Sequence, residues 1–231
     1  MDLAGLSRGA HLLEIGCGTG QATLPLAERG FRITCIELGE RLAAAARRNL
    51  RSFPEVEVVP TPFETWDPGT VRFDAVVAFS AFHWIDPDLR YARPAELLRE
   101  GGALAVVATK HVLGDGGDTF FVDVQEDYDA IVPSDDNRPP GPPAAVPDGS
   151  EEIEASGLFG EVHGRRYLWD VTYTADDYIA VLDTYSGHRA LAPERRRRLY
   201  ARIRRRIGAR PEGTVRKTHL FTLAVGRRLG P

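Results

Sequence analysis

His11-Leu-Leu-Glu-Ile-Gly-Cys-Gly-Thr-Gly-Gln21 is the stretch that decides the predicted fold. Its apolar start predicts a short buried strand, after which Gly16, Gly18 and Gly20 turn the chain. Residues 22–28 then predict a helix. Alternate glycines accept positive φ and carry no side chain, so a ligand can lie against bare backbone where the helix begins. The stretch therefore predicts a strand, a ligand-cradling loop and a helix.

The spacing of the glycines separates two classes of nucleotide ligand. The dinucleotide fingerprint is G-x-G-x-x-G, whereas here Gln21 occupies the position of its third glycine. An acidic residue, Glu14, stands two positions before the first glycine. Because such a loop alone is a weak signal, the residues at the ends of the following strands decide the interpretation.

Strand and helix patterns alternate after this first unit. Pro87 predicts the first turn of a helix that runs to Arg99. Short links between alternating elements predict a parallel, doubly wound α/β sheet, in which ligands bind beyond the carboxyl ends of the strands. The further strands are predicted at residues 31–36, 55–59, 71–79 and 103–108.

Side chains suited to a nucleoside follow three of these strands. Glu37 ends the second strand, where a carboxylate can accept hydrogen bonds from two ribose hydroxyls. Phe63 and Glu64 follow the third strand, and residues 80–86 follow the fourth. All of these positions lie at the ligand-binding edge of the predicted sheet.

Taken together, these positions resemble the class I S-adenosylmethionine (SAM)-dependent methyltransferases of the small-molecule type. Ala81-Phe-His-Trp-Ile-Asp86 is similar to the trans-aconitate methyltransferase-like subgroup. The resemblance implies a Rossmann-like, mostly parallel seven-stranded sheet with an antiparallel C-terminal hairpin, SAM as cofactor and S-adenosylhomocysteine as product. The cofactor contacts that it implies are Glu14, Gly16, Cys17, Gly18, Gly20, Glu37, Leu38, Phe63, Glu64 and Ser80.

The chain departs from the family pattern at two places. Pro62 replaces the usual Asp of the adenine loop, which leaves that contact to Phe63 and Glu64. Family members usually carry a helical segment before the first motif, whereas here the motif begins about ten residues from Met1. We therefore expect that the start of the chain is truncated, or that a lid at residues 110–149 or a partner subunit covers the ligand.

His83 is the candidate general base, because it follows the fourth strand at the ligand end and histidine side chains commonly act as proton acceptors in catalysis. The alternative is that His83 and Trp84 only pack the turn. The other predicted substrate contacts are Phe82, Tyr185 and His188.

We interpret residues 1–231 as one methyltransferase domain of three parts. Residues 1–109 form the SAM-binding half, residues 110–149 a lid or insertion, and residues 150–231 the substrate-side half. The arginines of residues 195–206 predict the solvated face of a helix rather than a nucleic-acid surface.

Composition narrows the class of protein further. A net charge of −4 gives no general attraction to nucleic acid or membranes, and no apolar run reaches membrane-spanning length. Two cysteines do not make a disulfide framework, which favours the cytoplasm. Scattered histidines predict no metal site. We expect a monomer or homodimer that acts on a small molecule.

The sequence thus predicts a cytoplasmic methyltransferase that methylates a small-molecule O or N acceptor, carboxylates included. Two alternatives stay open: a SAM- or nucleotide-binding protein without transferase activity, and an NAD(P)-dependent oxidoreductase, which the glycine spacing disfavours.

Overall fold

A computed structural model describes residues 3–114, 116–134 and 138–230. Residues 115 and 135–137 of the predicted lid lie outside the described residues. The strands are β1 His11–Ile15, β2 Arg32–Ile36, β3 Val56–Val59, β4 Phe73–Phe79, β5 Leu98–Val112, β6 Phe159–Thr174 and β7 Thr214–Arg228. The α-helices are α1 Thr23–Glu28, α2 Glu40–Asn49, α3 Ala92–Leu97, α4 Phe120–Asp123, α5 Gln125–Ile131, α6 Ser150–Ala155, α7 Ala175–Leu182, α8 Ser186–Arg189 and α9 Pro193–Gly208.

The strands form one seven-stranded sheet in the order β3-β2-β1-β4-β5-β7-β6. The pairs β2–β3, β1–β2, β1–β4 and β4–β5 are parallel, and the C-terminal strands are antiparallel. The predicted α/β fold is therefore confirmed. In β1, Leu12 joins one buried apolar cluster and Leu13 another, because successive side chains of a strand point to opposite faces.

The helix predicted from Pro87 to Arg99 is wrong at both ends. Residues 87–91 form turns, and α3 occupies only Ala92–Leu97. Leu98 is already extended and pairs with Phe73 of β4, so the sheet takes over the last predicted turn of the helix. The fifth strand is correspondingly longer than predicted, from Leu98 to Val112.

Contacts divide the chain into two compact units. The first unit comprises Met1–Thr109, Pro147–Arg166 and Phe221–Pro231, and the second comprises Lys110–Val146 and Tyr167–Leu220. The predicted single domain with a lid at 110–149 stays a prediction.

The second unit has an apolar core of its own, built mainly from α4, α5, α7 and α9. Asp127 of α5 is buried and accepts hydrogen bonds from Arg202 Nε and Arg206 Nε of α9, both at 2.7 Å. Burial alone would raise the pKa of Asp127, but these two guanidinium groups outweigh it and lower the pKa. Arg202 and Arg206 thus fasten α9 to α5, whereas Arg195 and Arg198 are exposed as predicted.

Candidate functional site

The loop after β1 holds its glycines in left-handed backbone. Gly16 has φ 68° and Gly18 has φ 58°, a conformation that favours glycine over other residues. Gly16 N–H donates to the carbonyl of Ile36 at 2.7 Å, which fixes the start of the loop to the end of β2. A Cβ on Gly16 would lie 2.5 Å from Cβ of Ala81, whereas a Cβ on Gly18 would meet no atom within 4 Å. The loop is therefore packed at Gly16 and open at Gly18.

Glu37 connects this loop to the one that follows β2. Its Oε2 accepts from Gly18 N–H and its Oε1 from Gly39 N–H, both at 2.8 Å, although the residue is only 7% exposed. A carboxylate offers about four lone-pair sites, and these two amides occupy two of them. The buried anion therefore orders both loops and retains acceptor capacity for a ligand.

The ends of β1, β2, β3 and β4 border a cavity of about 500 Å³. This volume lies within the ~300–1,000 Å³ that is typical of small-molecule sites. The predicted site residues that line it are Gly16, Gly18, Glu37, Leu38, Phe63, Glu64, Ser80 and Trp84.

Ser80 ends β4 in strained backbone. Its φ of 55° is rare for a residue that is not glycine, and such strain concentrates at functional sites. Its N–H donates to the carbonyl of Val107 at 2.8 Å, and its hydroxyl lies 3.1 Å from that of Thr109. The pairing with β5 thus holds Ser80 where it borders two cavities.

Three predicted cofactor residues, Glu14, Cys17 and Gly20, are not part of this lining. Cys17 packs in the apolar cluster that also holds Leu12. A Cβ on Gly20 would lie 2.8 Å from Leu50 Cδ1, so this glycine permits close packing of the loop on Leu50. The contacts that were predicted between these three residues and the cofactor therefore stay predictions.

Glu14 is fully buried, and neither of its carboxylate oxygens has a hydrogen-bond partner among the described residues. Burial raises its pKa from 4.5 to about 7, although the nearby Thr23 hydroxyl offsets part of the shift. A carboxyl group in apolar surroundings favours its neutral form. Near pH 7, Glu14 is therefore a mixture of acid and carboxylate behind the glycine loop.

We expect Glu14→Gln to remove a pH dependence of stability. Since the folded state holds this proton up to about pH 7 and the unfolded chain releases it near pH 4.5, wild-type stability falls across this range. The loss contributed by Glu14 is about 3 kcal/mol. Urea unfolding from pH 5 to pH 8 measures it, with the exposed Glu28→Gln as control. Parallel curves for Glu14→Gln and wild type would contradict the assignment.

Phe82 and His83 face a second cavity of the first unit, of about 220 Å³. They belong to a short 3₁₀ turn over Phe82–Trp84, in which the imidazole of His83 lies 4.8 Å from the Trp84 ring. Tyr91 O–H donates to Glu152 Oε2 at 3.0 Å across this cavity, and burial together with Glu152 raises the pKa of Tyr91 to about 12. His83 thus stands beside polar groups that a substrate could contact.

Tyr185 and His188 belong to the second unit. Both line a cavity of about 230 Å³ whose described lining comes wholly from that unit. His188 Nε2 lies 2.9 Å from the hydroxyl of Tyr128, and Lys217 Nζ donates to the hydroxyl of Tyr185 at 2.7 Å. Burial lowers the pKa of His188, which leaves it largely neutral at pH 7.

Four residues of these sites were not predicted from the sequence: Gly39, Tyr91, Glu152 and Lys217. The burial of Lys217 could have been predicted, because Lys217 and Val215 are two residues apart in β7 and point to the same buried face. The contact between Tyr91 and Glu152 could not, since they are 61 positions apart. Among the described residues, no group of three or more His, Cys, Asp or Glu side chains is arranged to hold a metal ion.

In the same described ranges, no helix has both the length and the apolar character needed to cross a bilayer.

Comparison with known proteins agrees with this geometry. Residues 12–102 match the family described as "Methyltransferase domain". A malonyl-[acyl-carrier protein] O-methyltransferase of Geobacter sulfurreducens is 32% identical over 128 residues, 54% of this chain and 45% of that protein. A trans-aconitate 2-methyltransferase of Delftia acidovorans is 30% identical over 106 residues, 44% of this chain and 38% of that protein.

The YcgJ protein of Bacillus subtilis has the same fold, with a TM-score of 0.59 at 13% identity over 100% of this chain and 96% of its own. The chain spans about two fifths to a half of the length of the curated relatives it matches. Over the N-terminal half, the sheet order, the glycine loop and the family match all indicate a methyltransferase-like domain. Residues 12–102 are thus similar to the methyltransferase-domain family, and the fold is that of the class I SAM-dependent methyltransferases.

Proposed function

We propose that the protein transfers the methyl group of SAM to an O or N atom of a small molecule, carboxylate acceptors included. The observation that carries the proposal is Glu37, a buried carboxylate with two backbone donors and spare acceptor sites at the wall of the 500 Å³ cavity. Glu37 would bind the ribose hydroxyls of SAM. Gly16 and Gly18 would border its amino-acid end, and Leu38, Phe63 and Glu64 its adenine.

SAM carries its methyl group on a sulfonium. When the acceptor takes the methyl group, the S–CH₃ bond breaks and the sulfur leaves as a neutral thioether. The protein then has to align the acceptor with the S–CH₃ bond and exclude water, and such positioning is worth about 7–11 kcal/mol. Phe82, His83 and Trp84 would contact the acceptor, whereas the substrate contacts predicted for Tyr185 and His188 of the second unit stay predictions. Their roles are part of the proposal.

His83 would accept a proton from a hydroxyl or amine acceptor. We expect His83→Ala to lower kcat about a hundredfold for such acceptors, at the lower end for general-base catalysis, and to leave SAM affinity unchanged. A carboxylate acceptor needs no base, so its turnover should be unaffected. His163→Ala is the control, because His163 lines neither the 500 Å³ cavity nor the 220 Å³ cavity. Near-full turnover of a phenol or amine by His83→Ala would mean that His83 is not the general base and only packs the turn.

Calorimetry with SAM, S-adenosylhomocysteine and NAD tests the proposal against its alternatives. We expect both sulfur compounds to bind and NAD not to bind. Tight NAD binding without a response to SAM would overturn the proposal in favour of an oxidoreductase. SAM binding without methyl transfer to a panel of acids, phenols and amines would favour a binding protein.

The narrower predictions belong to the same proposal. The trans-aconitate methyltransferase-like subgroup is one of several among the relatives, beside O-methyltransferases of other substrates. A cytoplasmic location and a monomer or homodimer remain expectations from the sequence.

A further inference from the structure

A lysine is buried in the second unit without a carboxylate partner. Lys217 on β7 is 3% exposed, and its Nζ donates to the Tyr185 hydroxyl at 2.7 Å while lying 5.1 Å from that ring. Within residues 3–114, 116–134 and 138–230, no Asp or Glu oxygen lies within 4.0 Å of this Nζ. Burying an ammonium group costs free energy unless the group is paired. The ammonium has three N–H donors, and the hydrogen bond to Tyr185 uses one, so two are left for a ligand.

His111 adds a second polar atom in need of a partner. Its Nε2 is buried without a hydrogen bond to any described residue. Burial, with help from Lys217 and His219, lowers the pKa of His111 to about 3, so the ring is neutral. A neutral imidazole has one N–H, which Nε2 can donate. Since buried polar atoms in proteins are nearly always hydrogen-bonded, His111 and Lys217 both call for an acceptor.

Lys217 and His111 line the same 230 Å³ cavity as Tyr185 and His188. None of its described lining residues is acidic. Burial raises the pKa values of Tyr128 and Tyr178, so these two phenols are neutral and do not balance the ammonium charge. The rest of the lining is mainly apolar or aromatic and includes the rings of Phe121, Tyr128 and Tyr178. Its other polar side chains are Gln125 and Arg138.

We propose that this cavity binds a small organic carboxylate, whose oxygens accept hydrogen bonds from Lys217 Nζ and His111 Nε2 and whose body packs against the aromatic rings. A volume of about 230 Å³ suits a single ring or short chain rather than a nucleotide. The proposal concerns binding within the second unit, and it holds whether or not the bound acid accepts a methyl group.

Calorimetry on the full chain tests it with acetate, benzoate and phenylacetate, and with benzamide as the neutral analogue of benzoate. We expect at least one aromatic acid to bind, and benzoate to bind more tightly than benzamide. Lys217→Met should weaken the binding of the acid about ten- to a hundredfold, the usual worth of a hydrogen bond to a charged group. Benzamide affinity should not change.

The chain offers a matched control, because it has two lysines and the other, Lys110, is exposed. Lys110→Met should bind the acid as wild type does. Tyr185→Phe keeps the ammonium and frees one of its donors, so it should bind the acid at least as tightly as wild type. SAM affinity measured on the same proteins separates a failure here from a failure of the proposed methyl transfer.

Two results would overturn the proposal. One is wild-type protein that binds none of the three acids at millimolar concentration, or that does not prefer benzoate to benzamide. The other is folded Lys217→Met that binds the acid as tightly as wild type. If Lys217→Met does not fold, the wild-type preference and the Tyr185→Phe result decide the matter.

Discussion

Glu37→Gln is expected to weaken SAM binding about a hundred- to a thousandfold. In the proposed complex the carboxylate accepts from two ribose hydroxyls while it holds the N–H groups of Gly18 and Gly39. Hydrogen bonds to a charged group are worth about 1.5–3 kcal/mol each, and an amide loses the charge and one acceptor atom. The NH₂ group of the glutamine would also point at the backbone N–H of Gly18 or Gly39, and two donors cannot form a hydrogen bond.

Calorimetry with SAM and S-adenosylhomocysteine measures the loss. Glu57→Gln is the matched control, because Glu57 is an exposed carboxylate on the neighbouring strand β3. The variant should stay folded, since it is isosteric with the native side chain. If Glu37→Gln binds SAM within threefold of wild type, Glu37 only ties the two loops together and the ribose lies elsewhere.

Local sequence patterns sufficed to predict the positions around this carboxylate. Gly16, Glu37 and Ser80 directly follow apolar strands, and Phe63 lies four residues after another. Because the ends of parallel strands meet at one edge of a sheet, these residues could be placed together without any knowledge of long-range contacts. The fold followed from the same alternation of strands and helices.

Features that depend on distant residues could not be predicted in this way. Glu14 points to the same face of β1 as Leu12, where distant residues form the apolar cluster that contains Leu12. The helix predicted from Pro87 lost its last residues to pairing between Leu98 and Phe73, which a local pattern does not encode. The surroundings of Lys217 are built by residues from β5, α4, α5, α7 and α8, which are distant from it in sequence.

Gly16→Ala is expected to abolish SAM binding, with an affinity loss of about a thousandfold or more. The backbone φ of 68° costs an alanine about 1–2 kcal/mol, and its Cβ would stand 2.5 Å from Cβ of Ala81. Ordinary carbon contacts need about 3.5–4.0 Å, so the loop or the turn before His83 must move by an ångström or more. Both of these segments border the cavity, and either movement disturbs it.

A second substitution should relieve this clash. Ala81→Gly removes the opposing Cβ, so the double variant Gly16→Ala, Ala81→Gly should recover most of the binding and keep only the cost of the positive φ, about tenfold. Calorimetry with SAM on the two single variants and the double variant measures the coupling. Gly18→Ala has a similar φ but no protein atom within 4 Å of the new Cβ, so Ala81→Gly should not rescue it. Equal loss in the double variant and in Gly16→Ala would mean that close packing of the loop on Ala81 is not what shapes the cofactor site.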